Sequence, residues 1–359
     1  MDEPRSEKAE GPRAPRWARV VGWGLASAVL LILLVLWVDR PHTPSIDGPD
    51  PVAELFTAEI GGVPQSLLIR GQDRSAPPVL FLHGGPGMPT SFLAHTFQQP
   101  LEEHFVVIHW DQRGAGRSWR EDLDPDEMRV SRFLEDADEV LDLIMLRVNP
   151  RPVILVGHSW GSYLGTLLVR RHPERIRAYV GVGQVVLPGA QAWSHQREWL
   201  RGVSMERGDV EALEMLEEGS QQAAQELVFR FGGGVAASDG YWPLIKAALL
   251  APEYTLRDVV NLTKSSSFAS RHMRYDVEEG RSLLQAVKAY PVPVWFFAGR
   301  RDWVTPWPLV VDFAEQTGAE LVWFEGSAHF PFFEEPEAFA LELRKVARAT
   351  GTAHAVTIR

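Results

Sequence analysis

A serine stands between two glycines in Gly157-His158-Ser159-Trp160-Gly161, directly after the apolar run at 153–156 and before a stretch with helical spacing. On so sharp a strand-to-helix turn the hydroxyl projects from the end of a sheet, and the glycines leave room for backbone that a side chain would obstruct. Serine alone is a weak nucleophile and needs a base, itself oriented by an acid. Both follow in chain order. His329, in Gly326-Ser327-Ala328-His329-Phe330, comes after the apolar run 321–324 and before the last helical pattern. A loop in that position can carry an imidazole back to the serine. Asp302 follows the run 292–297 and is the expected acid, holding the imidazole in one tautomer and stabilising its charged form. Its competitor, Asp312, falls inside a helical pattern, where a solvated helix face accounts for it. Of the other histidines, His83 and His158 belong to motifs with structural roles.

The chemistry these residues predict is acyl transfer, which also requires donors for an oxyanion. His83-Gly84-Gly85-Pro86-Gly87 follows the run 79–82 and supplies one, the N–H of Gly85; the N–H of Trp160, next to the serine, supplies the other. A further stretch, Trp110-Asp111-Gln112-Arg113-Gly114-Ala115-Gly116-Arg117-Ser118, follows the run 106–110. Here Asp111 and Arg113 are expected to fix neighbouring loops by charge-assisted hydrogen bonds rather than to react.

Other chemistries find no support. There is no H-E-x-x-H, no phosphate loop and no G-x-G-x-x-G opening a nucleotide unit, so neither a metal nor a cofactor is expected. The 359-residue chain has no cysteine, which excludes thiol chemistry and disulfides, and its net charge of −11 argues against nucleic acid as a partner.

The elements that must position these residues are legible as short apolar runs alternating with helical patterns. Strands are expected at 55–60, 65–70, 79–83, 106–110, 153–156, 178–182, 292–297 and 321–324. Helices are expected at 131–148, 159–171, 308–316 and 336–348. The alternation predicts an α/β fold with a mostly parallel central sheet flanked by helices, and the continuous apolar runs suit strands buried on both faces. The rhythm breaks between 188 and 290, which reads as helical without a strong strand. This segment is expected to be a helical cap inserted between two parts of the core, 52–187 and 291–359. Within it Glu211, Glu214 and Glu218 share one helix face, for which solvation is the default.

Ahead of the core, residues 20–38 form 19 residues without a formal charge, enough for a helix to cross a hydrocarbon layer of about 30 Å. Arg13, Arg16 and Arg19 precede the span, predicting residues 1–19 in the cytoplasm and the rest of the chain outside it. The apolar stretch is longer than a signal peptide's and ends without a small-x-small site, which favours an uncleaved transmembrane anchor. Residues 39–51, rich in proline, read as a stiff linker.

Taken together, the glycine-proline loop, the Trp110–Ser118 stretch and Gly157-His158-Ser159-Trp160-Gly161-Ser162 resemble the α/β-hydrolase superfamily, and within it the proline iminopeptidase-like serine hydrolases. The resemblance covers 52–187 and 291–349. It implies an α/β-hydrolase fold with Ser159, Asp302 and His329 as the triad, and release of N-terminal residues, often proline, from peptides. It also implies acidic cap residues that receive the free α-amino group, none of which is matched by position. The chain departs from the family in having His158 where glycine is common and Ala115 where cysteine is often found. The expected protein is therefore a membrane-anchored serine hydrolase of aminopeptidase type, taking a small peptide substrate. A carboxylesterase or other acyl hydrolase with the same triad is the alternative; a silent membrane-bound binding protein is a more distant one. The serine at 159 disfavours an aspartate-nucleophile epoxide hydrolase or dehalogenase.

Overall fold

Eight strands form one sheet in the order β1-β2-β4-β3-β5-β6-β7-β8. They are β1 (Val52–Ile60), β2 (Val63–Gly71), β3 (Pro78–Leu82), β4 (Val106–Asp111), β5 (Val153–His158), β6 (Ile176–Val182), β7 (Val294–Gly299) and β8 (Glu320–Phe324). The structure, a computed structural model, describes residues 41–186, 190–277 and 282–351, together with Ser27. β1 pairs antiparallel with β2, and β2 antiparallel with β4; from β4 to β8 every pairing is parallel. Each predicted strand is present. β7 starts two residues later than expected, after Pro291 and Pro293, whose rings lack the N–H a ladder needs.

Continuous apolar runs in the central strands reflect burial on both sides. In β3, Leu80 and Leu82 enter one core layer and Val79 and Phe81 the other. The first layer is closed by α1 (Val130–Arg147), whose Val130, Phe133, Leu134, Ala137, Leu141 and Ile144 recur at helical spacing on its buried face. α2 (Trp160–Arg171) follows β5 and is buried along most of its length. α8 (Trp307–Thr317) and α9 (Pro336–Gly351) complete the flanking helices, each near its predicted place.

Between β6 and β7 the chain leaves the sheet and forms α3 (Ala190–Arg207), α4 (Val210–Glu218), α5 (Gln221–Arg230), α6 (Trp242–Leu250) and α7 (Leu256–His272). Their ends carry the expected signals. Asp209 and Ser220 cap α4 and α5, and Thr255 with Asp258 forms a capping box at α7.

The strand order reverses beside β3, where β4 lies to one side and β5 to the other. Such a switch point opens a crevice at the carboxyl ends of the strands. The loops following β3, β4, β5, β7 and β8 all end there, and they carry the residues singled out above. The predicted span at 20–38 lies outside the described residues apart from Ser27; no helix among the described residues is long and apolar enough to cross a membrane.

Candidate active site

Ser159 sits on the turn between β5 and α2 with φ 51° and ψ −122°. It is the only described non-glycine residue at positive φ. Backbone strain of that kind, typically costing on the order of 1–3 kcal/mol, persists only where the surroundings enforce it. They do so here: the Ser159 N–H donates to the Val182 carbonyl at 2.9 Å, and its own carbonyl accepts from the Ser162 N–H at 2.8 Å and hydroxyl at 2.6 Å. The glycine requirement is steric. A Cβ on Gly161 would lie 2.0 Å from the Leu82 carbonyl oxygen, so α2 can start this close to β3 only without a side chain there.

The serine opens onto a cavity of about 200 Å³ that Gly85 and Trp160 also line. Trp160 is the first residue of α2, where an N–H has no acceptor within the helix. The three residues predicted to supply nucleophile and oxyanion donors thus share one cavity.

His329 and Asp302 are 3% and 2% exposed. The His329 Nδ1–H donates to Asp302 Oδ2 at 2.9 Å. The same carboxylate accepts from the N–H groups of Val304 and Thr305 at 2.9 and 3.0 Å and from the Thr305 hydroxyl at 2.7 Å, which fixes its plane. Asp312, the sequence competitor, is exposed on α8. Among the described residues no hydrogen bond joins the Ser159 hydroxyl to the His329 ring. Bonds of this type are often long in a free enzyme and tighten with substrate.

What couples the two is His158. Its Nε2–H donates to the His329 carbonyl at 2.9 Å, and the two rings lie 4.6 Å apart. Burial, with the neighbouring His329 ring, holds His158 well below the ordinary histidine pKa, so it stays neutral. Gly183 completes the floor: at φ 53° it packs so close that a Cβ would meet His329 Cε1 and Nδ1 at 2.8 Å.

The glycine-proline loop is fixed by a residue the sequence did not single out. Gln112 donates its backbone N–H to His83 Nε2 at 3.0 Å and its side-chain amide to the His83 carbonyl at 3.3 Å. Its side-chain oxygen accepts from the Trp160 indole at 3.1 Å. One glutamine therefore ties the loop of Gly85 to the residue of the second expected donor. Its signal was chain order: it follows β4, next to β3. His83 donates from Nδ1 to the Gly84 carbonyl, and burial lowers its pKa to about 4. Asp111 and Arg113 act as scaffold. Asp111 accepts from Ser91, Tyr254 and the Arg117 N–H; Arg113 pairs with Asp136 of α1 at 2.9 Å, both fully buried.

Two further contacts had no sequence signal. Glu334 accepts from the N–H groups of Ala328 and Phe330, on either side of His329, and from that of Ala236 in the inserted helices. Consecutive carbonyls of the insertion, Gly233 and Gly234, accept from the N–H of Trp303, beside Asp302, and of His329, each at 3.0 Å.

A model of the alpha/beta hydrolase family matches residues 79–343, which include every one of these loops. The chain belongs to that family. It is 30% identical over 314 residues to the probable aminopeptidase YbaC of Bacillus subtilis, covering 83% of this chain and 97% of that protein. It is 24% identical over 275 residues to a proline iminopeptidase of Heyndrickxia coagulans, covering 73% of this chain and 87% of the relative. Among solved structures it is similar to a proline iminopeptidase of Mycobacterium smegmatis, with a TM-score of 0.60 and 20% identity, over 84% of this chain and all of that one. That last likeness is one of fold.

Gln184, Gln196, Gln221 and Gln225 line the cavity with Trp193 and Tyr275, and no carboxylate among the described residues does. Glu211, Glu214 and Glu218 are exposed on α4.

Proposed function

We propose that this hydrolase acts through Ser159, His329 and Asp302 as an aminopeptidase that releases N-terminal residues from small peptides. The observation that carries the reading is the buried His329–Asp302 pair at 2.9 Å, held by His158 to the strained turn of Ser159. Kinship to a protein named as a probable aminopeptidase along almost its whole length supports the substrate class.

In this mechanism His329 Nε2 takes the Ser159 proton as the oxygen attacks the substrate carbonyl. The N–H groups of Gly85 and Trp160 stabilise the oxyanion. His329 returns the proton to the leaving amine, and the acyl-serine is then hydrolysed by water activated by the same imidazole. Asp302 keeps the Nδ1 proton in place throughout. The anchoring of the protein through 20–38, with the hydrolase domain outside the cytoplasm, belongs to the same proposal and rests on the charge asymmetry around the span.

Glutamines line the cavity and no carboxylate among the described residues does, which favours a second reading, an acyl hydrolase for uncharged substrates, because amide side chains cannot neutralise an ammonium group. Hydrolysis of a prolyl anilide, its N-blocked form and a short-chain nitrophenyl ester by the full-length protein and Ser159→Ala separates the two. Serine-dependent cleavage of the free-amine anilide alone supports the aminopeptidase. Serine-dependent ester cleavage without anilide cleavage overturns it for the second reading.

A further inference from the structure

α6 is apolar on both sides. Leu244, Ala247 and Ala248 face the core, while Trp242, Ile245 and Leu249, at i, i+3 and i+7, point outward and Leu250 borders them. Trp242 is 65% and Leu250 63% exposed. Lys246 is the one charged residue of the helix. Val260 of α7, 62% exposed, lies on the next helix. A helix that is apolar all round is normally buried, so this outward face calls for a partner.

The chain itself indicates which. The residues that open its continuous described stretch at 41 are fastened beside the end of α6: the His42 N–H donates to the Pro252 carbonyl at 2.9 Å, and the Thr43 hydroxyl donates to Glu253 Oε1 at 3.2 Å. Arg70 holds the Pro44 carbonyl at 2.6 Å while paired with Glu102. Only four peptide steps separate His42 from residue 38, the end of the apolar span, a reach of at most about 14 Å.

We infer that the outward face of α6, with Val260 of α7, rests on the surface of the lipid bilayer that holds the 20–38 span. The inference depends on the anchoring reading above. Trp242 suits the headgroup region, and Lys246 can extend its ammonium to anionic lipid while its methylenes stay among the apolar side chains. A patch this short would bind a membrane weakly alone, but a tether of so few residues makes the contact intramolecular in effect. The face thereby orients the hydrolase relative to the membrane instead of leaving it free on a leash.

The natural chain has no cysteine, so one can be introduced for labelling. Full-length Leu249→Cys, carrying an environment-sensitive fluorophore, is reconstituted in phosphatidylethanolamine–phosphatidylglycerol vesicles with or without lipids bearing a nitroxide quencher. Leu146→Cys is the reference; that side chain is 88% exposed on α1, which packs on the other side of the sheet. Ile245→Cys substitutes if Leu249→Cys does not fold. The expected result is lipid-dependent quenching at 249 several-fold above that at 146. Equal quenching at both sites, in protein that floats with the vesicles, overturns the inference and leaves anchoring intact. A fluorophore shielded from water but untouched by lipid quencher also overturns it, pointing to a protein partner or a second copy. Failure to float removes the anchoring reading and the inference with it.

Discussion

The Nε2–H of His158 donates to the carbonyl of His329, so the residue before the proposed nucleophile holds the backbone of the proposed base. Two loops from the ends of β5 and β8, 171 residues apart in sequence, are thereby set in one register without using the imidazole that must react. A glycine at this position, the residue that the resemblance to iminopeptidase-like hydrolases implies, could not make the bond.

That bond yields the first prediction. His158→Gly should lower kcat by roughly 10–100-fold, a typical cost of misplacing a general base, with KM changed much less. His158→Gln should recover most of the loss, since its amide can donate to the same carbonyl. Steady-state kinetics on the three proteins checks this. Equal impairment in both variants would show that His158 only fills space.

Ser159→Ala should abolish serine-probe labelling and reduce turnover by several orders of magnitude, to the level left by binding and oxyanion donors. Asp302→Asn should cost on the order of 10⁴ in kcat, because an amide facing Nδ1 favours the wrong imidazole tautomer. Activity of Asp302→Asn within tenfold of the natural protein would remove Asp302 from the mechanism.

Gly183→Ala tests the packing beneath the base. The new methyl would stand 2.8 Å from the His329 ring on a residue at φ 53°. We expect a stability loss of about 1–2 kcal/mol from the backbone alone, and a drop in kcat because the ring must move. Denaturant titration and kinetics measure the two effects; an unchanged kcat would mean that the ring is not where it has to be.

Acid should destabilise the fold in a defined window. His83 and His109 are buried, and desolvation lowers their pKa values from 6.5 to about 4 and about 3. Between pH 6.5 and 4 the unfolded chain therefore binds protons that the folded protein does not, and stability falls as pH falls. His158 acts in the same direction. Thermal midpoints should decline steadily from pH 6.5 to 4, and His109→Gln should flatten part of that slope. A midpoint independent of pH across the window would contradict the buried neutral histidines.

The sheet was legible because buried parallel strands demand uninterrupted apolar runs, as in Val79-Leu80-Phe81-Leu82. The places of Ser159, Asp302 and His329 after the ends of strands were legible because each follows such a run. The supports were not. Gln112 acts partly through its backbone N–H, and Glu334 accepts only from backbone, so neither carries a pattern in residue type. The cavity lining was equally hidden. Gln184 comes from the loop after β6, whereas Gln221 and Gln225 come from α5, and only tertiary packing brings them to one wall.

The paired carbonyls of Gly233 and Gly234 bear on how this enzyme can be redesigned. The insertion is the natural target for changing substrate range by exchanging segments between relatives. Yet the carbonyls of Gly233 and Gly234 hold the loops of Asp302 and His329, and the Ala236 N–H on Glu334 and a stack of Trp199 on Trp303 at 4.8 Å add further attachments. A graft that replaces the whole insertion removes those attachments together with the specificity it was meant to alter. Exchanges confined to segments outside 228–236 leave both carbonyl contacts in place and give a library a chance of remaining active.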